Sequence, residues 1–114
     1  MTMKASDPKW SFVSVSSEGY VTTVVEKRAI SSEATVGIYN YKQGKSFVQA
    51  AETMISNNLR VNGEFYVAPT YNEMIAKGGR VGIYNIGSEG DGMYGLGTPE
   101  DLQSFLKLDI SQEI

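Results

Sequence analysis

The sequence predicts an α+β domain, in which a mixed sheet starts with an N-terminal β-hairpin and carries two or three helices. Three observations predict this fold class. Residues 10–26 contain two strand patterns joined by a turn, residues 45–59 place apolar side chains at helical spacing, and the pentapeptide VGIYN occurs in two β-rich segments. The 114 residues, 41% of them hydrophobic, are predicted to form one domain spanning 1–114.

The hairpin is predicted from two adjacent strand patterns. Trp10–Val15 alternates large apolar with small polar residues, and Tyr20–Glu26 is rich in β-branched residues. Between them, Ser16–Gly19 has turn chemistry, and Gly19 can adopt a positive φ. A polar connection over 27–34 follows the hairpin.

Each copy of VGIYN is predicted to lie in a central strand, the first in Thr35–Tyr41 and the second in Arg80–Ile86. The first copy follows a hairpin and precedes a long helix, whereas the second follows a short helix and precedes a glycine-rich loop. Their surroundings share no pattern, so we interpret the copies as convergent and not as a repeat array.

The first two helices are predicted from apolar spacing and end signals. Lys45–Leu59 has one apolar face, and Asn57–Asn58 is a plausible end for that helix. A short extended segment, Gly63–Val67, precedes a second helix that starts at Ala68–Pro69 and is stopped by Lys77–Gly79.

The last helix is predicted to start at Thr98. Thr98 suits the N-cap, Pro99 suits the first helical position, and two acidic residues follow in the first turn. Its inner face is predicted to bury Leu102, Phe105 and Leu106.

Composition excludes several classes of function. The chain has no histidine and no cysteine, which excludes Ser-His-Asp and Cys-His triads, zinc sites built from these ligands, and disulfides. A net charge of −3 without a basic cluster argues against a nucleic-acid partner. No apolar run approaches the roughly 20 residues of a membrane span, and the N-terminus lacks an apolar signal region. We therefore expect a cytoplasmic protein without a membrane partner.

Glu26 and Lys27, at the end of the second strand, are the leading candidates for ligand binding. A carboxylate can accept hydrogen bonds from sugar hydroxyls, and an adjacent ammonium can meet a phosphate. The alternative is an ordinary solvated charge pair at a strand end.

Glu64 and Tyr66 form a weaker candidate pair, because the alternation of a strand turns both side chains away from Phe65 and Val67. For this pair the alternative is an exposed edge strand.

The Gly87–Gly97 loop precedes a helix, as phosphate-binding loops do, but it matches neither GxxxxGK[ST] nor GxGxxG. A flexible or sharply turned connection is the better interpretation. Asp91, within it, could be a metal ligand, but one carboxylate is weak evidence for a metal site.

The order of motifs resembles the C-terminal half of bacterial sugar nucleotidyltransferases. The matching segments over residues 5–108 are DPKWSFVSVSSEGYVTTVVEK, SSEATVGIYNY, NGEFYVAPTYNEMI and GLGTPEDLQSFL. The family is the glucose-1-phosphate thymidylyltransferase-like one, and the shorter relatives in capsule and surface-polysaccharide clusters are most similar. The resemblance implies a Rossmann-like, GT-A-like nucleotidyltransferase fold and a place in polysaccharide biosynthesis.

Family members join a nucleoside triphosphate to a sugar 1-phosphate with Mg²⁺ and release pyrophosphate. The family's Glu-Lys motif, which holds sugar hydroxyls and phosphate, falls on Glu26 and Lys27. The resemblance places six further residues beside the sugar: Ser11, Val36, Gly37, Tyr39, Gly63 and Glu64.

Two departures from the family pattern bear on activity. The metal-binding aspartate of the Asp-x-Gly-Thr motif is replaced in Gly95–Thr98, and the N-terminal half, with the triphosphate loop, is absent. We therefore expect a truncated domain that is catalytically inactive alone and contains no catalytic residue. We expect it to bind no cofactor alone, and to bind Mg²⁺ only if a separately encoded N-terminal half is supplied. We expect sugar-phosphate or nucleotide-sugar binding and, because an open sheet edge and apolar face remain, a homodimer or higher homo-oligomer. The alternatives are an oligomerising interaction module and one half of a split enzyme.

Overall fold

A six-stranded mixed sheet with three α-helices forms the domain in the computed structural model, which describes residues 1–114. The strands are β1 (Thr2–Lys4), β2 (Ser11–Val15), β3 (Val21–Glu26), β4 (Glu33–Thr35), β5 (Asn85–Glu89) and β6 (Gly92–Met93). The helices are α1 (Gly44–Ser56), α2 (Thr70–Ala76) and α3 (Pro99–Phe105), followed by a 3₁₀ turn at Asp109–Gln112. The strand order is β3-β2-β4-β1-β5-β6, which confirms the predicted α+β class.

The predicted hairpin and helices are confirmed. Strands β2 and β3 pair antiparallel around Gly19, whose φ is 88°. Helix α1 ends one residue before Asn57, and α2 follows Pro69 and is closed by Gly78, whose φ is 83°. Helix α3 starts with the expected cap, in which the Thr98 hydroxyl accepts the Asp101 N–H and the Asp101 carboxylate accepts the Thr98 N–H.

The prediction that both VGIYN copies form central strands is wrong. Strand β4 ends at Thr35, just before the first copy, and β5 begins only at Asn85, the last residue of the second. Gly37 has a φ of 79°, which ends the extended conformation of the first copy. Ile38 and Tyr84 are 57% and 71% exposed, as side chains of a covered central strand would not be.

The centre of the sheet is occupied instead by β1, a strand that the sequence pattern did not predict. It pairs antiparallel with β4 and parallel with β5, and Met3 within it is fully buried. The two VGIYN segments border this strand: the Val36 N–H donates to the Met1 carbonyl, and the Thr2 N–H donates to the Tyr84 carbonyl. A three-residue strand is too short to display an alternating pattern.

Two loops also differ from expectation. Gly63–Val67 is not an extended strand, because Val61 and Glu64 close a tight turn in which Asn62 and Gly63 have positive φ. The glycine loop contains β6 and is sharply turned: a Cβ on Gly92 would lie 1.8 Å from the Ile86 carbonyl oxygen, so only glycine fits.

Helix α3 does not bury the predicted face. Phe105 is half-buried, with its ring centroid 5.8 Å from that of Tyr94, while Leu102 and Leu106 are exposed. The helix has no buried residue. Its aromatic contact is the one between Phe105 and Tyr94.

The outer edge of β3 is covered by groups from elsewhere in the chain. The Asn72 side chain on α2 accepts a hydrogen bond from the Val24 N–H at 2.8 Å and donates one to the Val24 carbonyl at 2.7 Å. The Val81 carbonyl accepts the Val21 N–H at 2.8 Å. Asn72 therefore makes the hydrogen bonds to the backbone in the middle of this edge strand that a neighbouring strand would otherwise make.

No helix of the protein has both the length and the apolar character needed to cross a membrane.

Candidate functional site

A row of polar side chains crosses one face of the sheet. Ser11 lies opposite Glu26, and Thr2 lies opposite both Thr35 and Asn85. Strands β2 and β4 pair at Phe12 and Ala34, and their antiparallel register puts Ser11 beside Thr35. We call Glu26, Ser11, Thr35, Thr2 and Asn85 the polar row. Phe12, next to Ser11 on β2, points to the opposite face and is fully buried there.

Glu26 is held by Ser11. The Ser11 hydroxyl donates a 2.5 Å hydrogen bond to Glu26 Oε2, and Ser11 is only 6% exposed. No protein group donates to the other carboxylate oxygen, Oε1. Glu26 thus has one oxygen engaged within the sheet and one free to accept a hydrogen bond from a ligand.

Lys27 presents a cation without an acidic partner. A regular strand would send it to the face opposite Glu26, but its φ of 55° ends the strand, and its ammonium lies 5.4 Å from the centroid of the Tyr66 ring. No carboxylate oxygen lies within 4.0 Å of this ammonium. The ring face attracts the cation weakly without neutralising it, so Lys27 remains available to an anion.

Tyr66 connects Lys27 to Glu64. Its hydroxyl donates to Glu64 Oε2 at 2.7 Å, and this hydrogen bond to the carboxylate is the main cause that raises the pKa of Tyr66. The turn before it is fixed by Arg60, which donates to the Gly63 carbonyl at 2.9 Å and stacks 4.0 Å from the Phe65 ring centroid. The position of Tyr66 is therefore set by the turn that Arg60 stabilises.

An open cleft of about 240 Å³ lies beside Glu26 and Tyr66. Valine, methionine, leucine and proline side chains form much of its wall, and its polar lining comes from Glu26, Arg60, Tyr66, Asn72 and Glu73. Apolar walls with a few convergent polar groups are typical of small-molecule sites.

The remaining predicted site residues lie elsewhere. The Tyr39 hydroxyl hydrogen-bonds Thr35 Oγ1 at 3.0 Å, and its ring packs against the cluster of Val13, Val21 and Val24. Val36 packs with Met3 and Phe12 on the opposite face. Gly37 and Gly63 are exposed turn residues. The structure thus pairs Ser11 with Glu26 and, separately, links Lys27 to Glu64 through Tyr66, while Tyr39 reaches the polar row only at Thr35.

A buried carboxylate that the sequence analysis missed lies at the far end of the polar row. Glu33 accepts hydrogen bonds from the Thr2 hydroxyl at 2.6 Å, the Lys4 ammonium at 2.7 Å and the Asn85 amide at 2.6 Å. Burial raises the pKa of Glu33, but the donors from Lys4, Thr2 and Asn85 together outweigh burial, so its pKa lies below the ordinary value. Because every partner is remote in sequence, no local pattern could have identified this network.

The chain has no group of three or more His, Cys, Asp or Glu side chains placed to hold a metal ion. Gly95 has no side chain, and the nearby Asp101 carboxylate accepts the Thr98 N–H at 3.2 Å in the helix cap. Asp91 is exposed on its loop.

Comparisons with known proteins give a similarity in fold. No protein-family model and no curated protein sequence matches the chain. The chain is similar to the crystal structure of a nucleoside-diphosphate-sugar pyrophosphorylase from Vibrio cholerae RC9, with a TM-score of 0.84 over 94% of this chain and 24% sequence identity. It spans 45% of that protein's length. The similarity establishes that the chain has the fold of a fragment of a nucleoside-diphosphate-sugar pyrophosphorylase.

Proposed function

We propose that the chain is the C-terminal, sugar-phosphate-binding half of a sugar nucleotidyltransferase-like fold, and that it binds a sugar 1-phosphate or nucleotide sugar without transferring nucleotides alone. The observation that supports this most directly is that Glu26, whose Oε1 has no protein donor, lines a small cleft. The Lys27 ammonium, which has no carboxylate partner, lies over Tyr66, a residue of the same cleft. The shared fold with a nucleoside-diphosphate-sugar pyrophosphorylase agrees with this ligand class.

In this proposal each group has one task. Glu26 Oε1 accepts a hydrogen bond from a sugar hydroxyl, and Lys27 pairs with the phosphate. Tyr66 orients the ammonium, and Glu64 and Arg60 hold Tyr66 in place. The apolar wall of the cleft packs against the C–H groups of the sugar ring.

Nucleotidyl transfer requires groups that position and neutralise a triphosphate, usually together with Mg²⁺. This chain has no cluster of metal ligands. We accordingly propose that Mg²⁺ binds only when an N-terminal half completes the site. Purified protein incubated with nucleoside triphosphates, α-D-glucose 1-phosphate and Mg²⁺ should release no pyrophosphate; sustained release would overturn the assignment of inactivity.

Binding can be tested with two substitutions at the cleft. Glu26→Gln and Lys27→Met are each expected to weaken α-D-glucose 1-phosphate binding by about tenfold or more, since a hydrogen bond to a charged group contributes about 1.5–3 kcal/mol. Dissociation constants from amide chemical shifts on titration provide the measurement. Glu52→Gln and Lys42→Met, exposed and outside the cleft, serve as matched controls. Equal effects of all four substitutions, or shifts far from residues 26–27 and 64–66, would contradict the proposed site.

A second candidate function is self-assembly. The C-terminal segment exposes six large apolar side chains, which are Leu96, Leu102, Leu106, Leu108, Ile110 and Ile114. An exposed apolar surface of this kind favours association, whereas the β3 edge is covered by Asn72 and Val81 and offers less. We propose a homodimer through this apolar segment. A monomeric mass at high micromolar concentration, or a dimer unaffected by Leu102→Ser with Leu106→Ser, would argue against it.

A further inference from the structure

We infer that the acidic C-terminal segment of one copy docks in a basic, aromatic cleft of a second copy. The inference rests on the proposed self-assembly, and it identifies the surface of the partner that receives the segment. The C-terminal segment is residues 96–114. The receiving surface, which we call the tyrosine cleft, shares no lining residue with the cleft beside Glu26 and Tyr66.

The tyrosine cleft is open and has a volume of about 430 Å³. Residues 40–42 and 80–84, at or beside the two copies of VGIYN, line it together with Met1, Tyr71 and Met74. The rings of Tyr41 and Tyr71 stack with centroids 4.6 Å apart and planes 4° apart. Ile83 and Tyr84 are exposed there. The cleft therefore offers aromatic and aliphatic surface that a partner could cover.

The tyrosine cleft has only basic charged side chains. Lys42 and Arg80 line it, both are exposed, and neither forms an ion pair within the chain. The Arg80 guanidinium lies 5.7 Å from the centroid of the Tyr20 ring, which does not neutralise it. No aspartate or glutamate lines the cleft. An apolar partner that carries negative charge is therefore the complementary occupant.

The C-terminal segment has this composition. Its charged residues are Glu100, Asp101, Asp109 and Glu113 against Lys107 alone, and none of them forms an ion pair within the chain. The same segment carries the six exposed apolar side chains described above. It thus combines the negative charge and the apolar surface that complement the tyrosine cleft.

Charge also distinguishes this contact from the packing of one C-terminal segment on another. Two segments packed together would place their acidic residues against each other, which is unfavourable, whereas segment and cleft have opposite charges. Across a twofold axis each copy inserts its segment into the cleft of the other, so the same contact forms twice in a closed dimer.

The test uses two charge-reversed proteins, each with two substitutions. One carries Lys42→Glu with Arg80→Glu in the cleft, and the other carries Asp109→Lys with Glu113→Lys in the segment. Each alone juxtaposes like charges, so its dimer dissociation constant from sedimentation equilibrium should rise at least about tenfold. An equimolar mixture should restore a dimer of one copy of each, because both of its contacts then pair opposite charges. Variants that had failed to fold could not be restored by mixing.

Arg28→Glu with Lys45→Glu is the matched control. It changes the net charge as much as the cleft substitutions do, at exposed positions outside the cleft, and should leave the dissociation constant nearly unchanged. Amide shifts that change with protein concentration should include residues 40–42 and 80–84 as well as the C-terminal segment.

Three results would overturn the inference. One is a cleft variant that dimerises as the wild-type protein does, which would indicate packing of segment on segment. Another is a mixture that stays monomeric while both variants are folded. The third is a wild-type dimer whose concentration-dependent shifts leave out the cleft, which would then have another occupant. In each case the wild-type dimer remains, so the proposed self-assembly stands; a wild-type protein that is monomeric at high micromolar concentration contradicts both.

Discussion

Replacing Glu33 by alanine is expected to lower the free energy of unfolding by about 3 kcal/mol, the largest effect of any single substitution considered for this protein. The carboxylate accepts hydrogen bonds from Thr2 and Lys4 on β1 and from Asn85 on β5, and so joins three strands of the sheet. Its removal leaves the donors of Thr2 and Asn85 without their acceptor and creates a cavity between them. Lys4 contributes less, because its side chain is 63% exposed and the ion pair is screened by solvent.

Equilibrium unfolding in urea measures this change. Glu52→Ala, an exposed position on α1, is the control and should change the unfolding free energy little. A loss below about 1 kcal/mol for Glu33→Ala would show that the network contributes no more than an ordinary surface ion pair.

Glu33 also predicts a direction for the pH dependence of stability. Its pKa in the folded protein lies below the ordinary value of 4.5, so between the two values the unfolded chain binds more protons than the folded one. The stabilisation by Glu33 is fully present above pH 4.5 and is lost as the pH falls through the folded-state pKa. Urea unfolding at stepped pH should show a shallower acid limb for Glu33→Gln than for the wild-type protein; parallel curves would exclude Glu33 as the cause.

Replacing Asn72 by alanine is expected to destabilise the protein by about 2 kcal/mol, the second largest effect. The side-chain amide satisfies both backbone groups of Val24, and Val24 is buried, so water cannot easily replace it. The substitution also opens the edge of β3 to other chains. We therefore expect a lower urea midpoint together with a tendency to associate.

Urea unfolding measures the loss of stability, and analytical ultracentrifugation measures the tendency to associate. Glu73→Ala, the next residue on α2, makes no hydrogen bond or ion pair and is the matched control. Asn72→Asp retains the acceptor for the Val24 N–H but loses the donor to the Val24 carbonyl. The Asn72→Asp protein should therefore be less stable than the wild-type protein. An Asn72→Ala protein as stable as Glu73→Ala would show that the edge needs no side-chain partner.

The candidate site was only partly predictable from the sequence. Glu26 and Lys27 could be identified because a charged pair at the end of a clear strand is a local pattern. The hydrogen bond between Ser11 and Glu26 follows from the hairpin register, which turn length largely sets. The position of Lys27 over Tyr66 could not be predicted, because it requires a left-handed residue in one segment and a tight turn nearly forty residues later.

The two VGIYN segments show where local pattern misleads. Valine, isoleucine and tyrosine favour strands wherever they occur, yet here the backbone hydrogen bonds at the centre of the sheet go to the short segment Thr2–Lys4. Strand propensity measures how well a side chain fits a pleated surface. It does not specify which of several strand-favouring segments takes the central position in the sheet.

The periodicity, turn residues and caps of the chain determined the α+β class, the hairpin, the three helices and the acid–base pair at the end of β3, because each depends on neighbours within a few residues. The strand order, the burial of Glu33, the closure of the β3 edge by Asn72 and the cleft beside Tyr66 were decided only by the tertiary structure. Each of these joins side chains that are distant in sequence, and their free energies arise only when the folded chain brings those groups together.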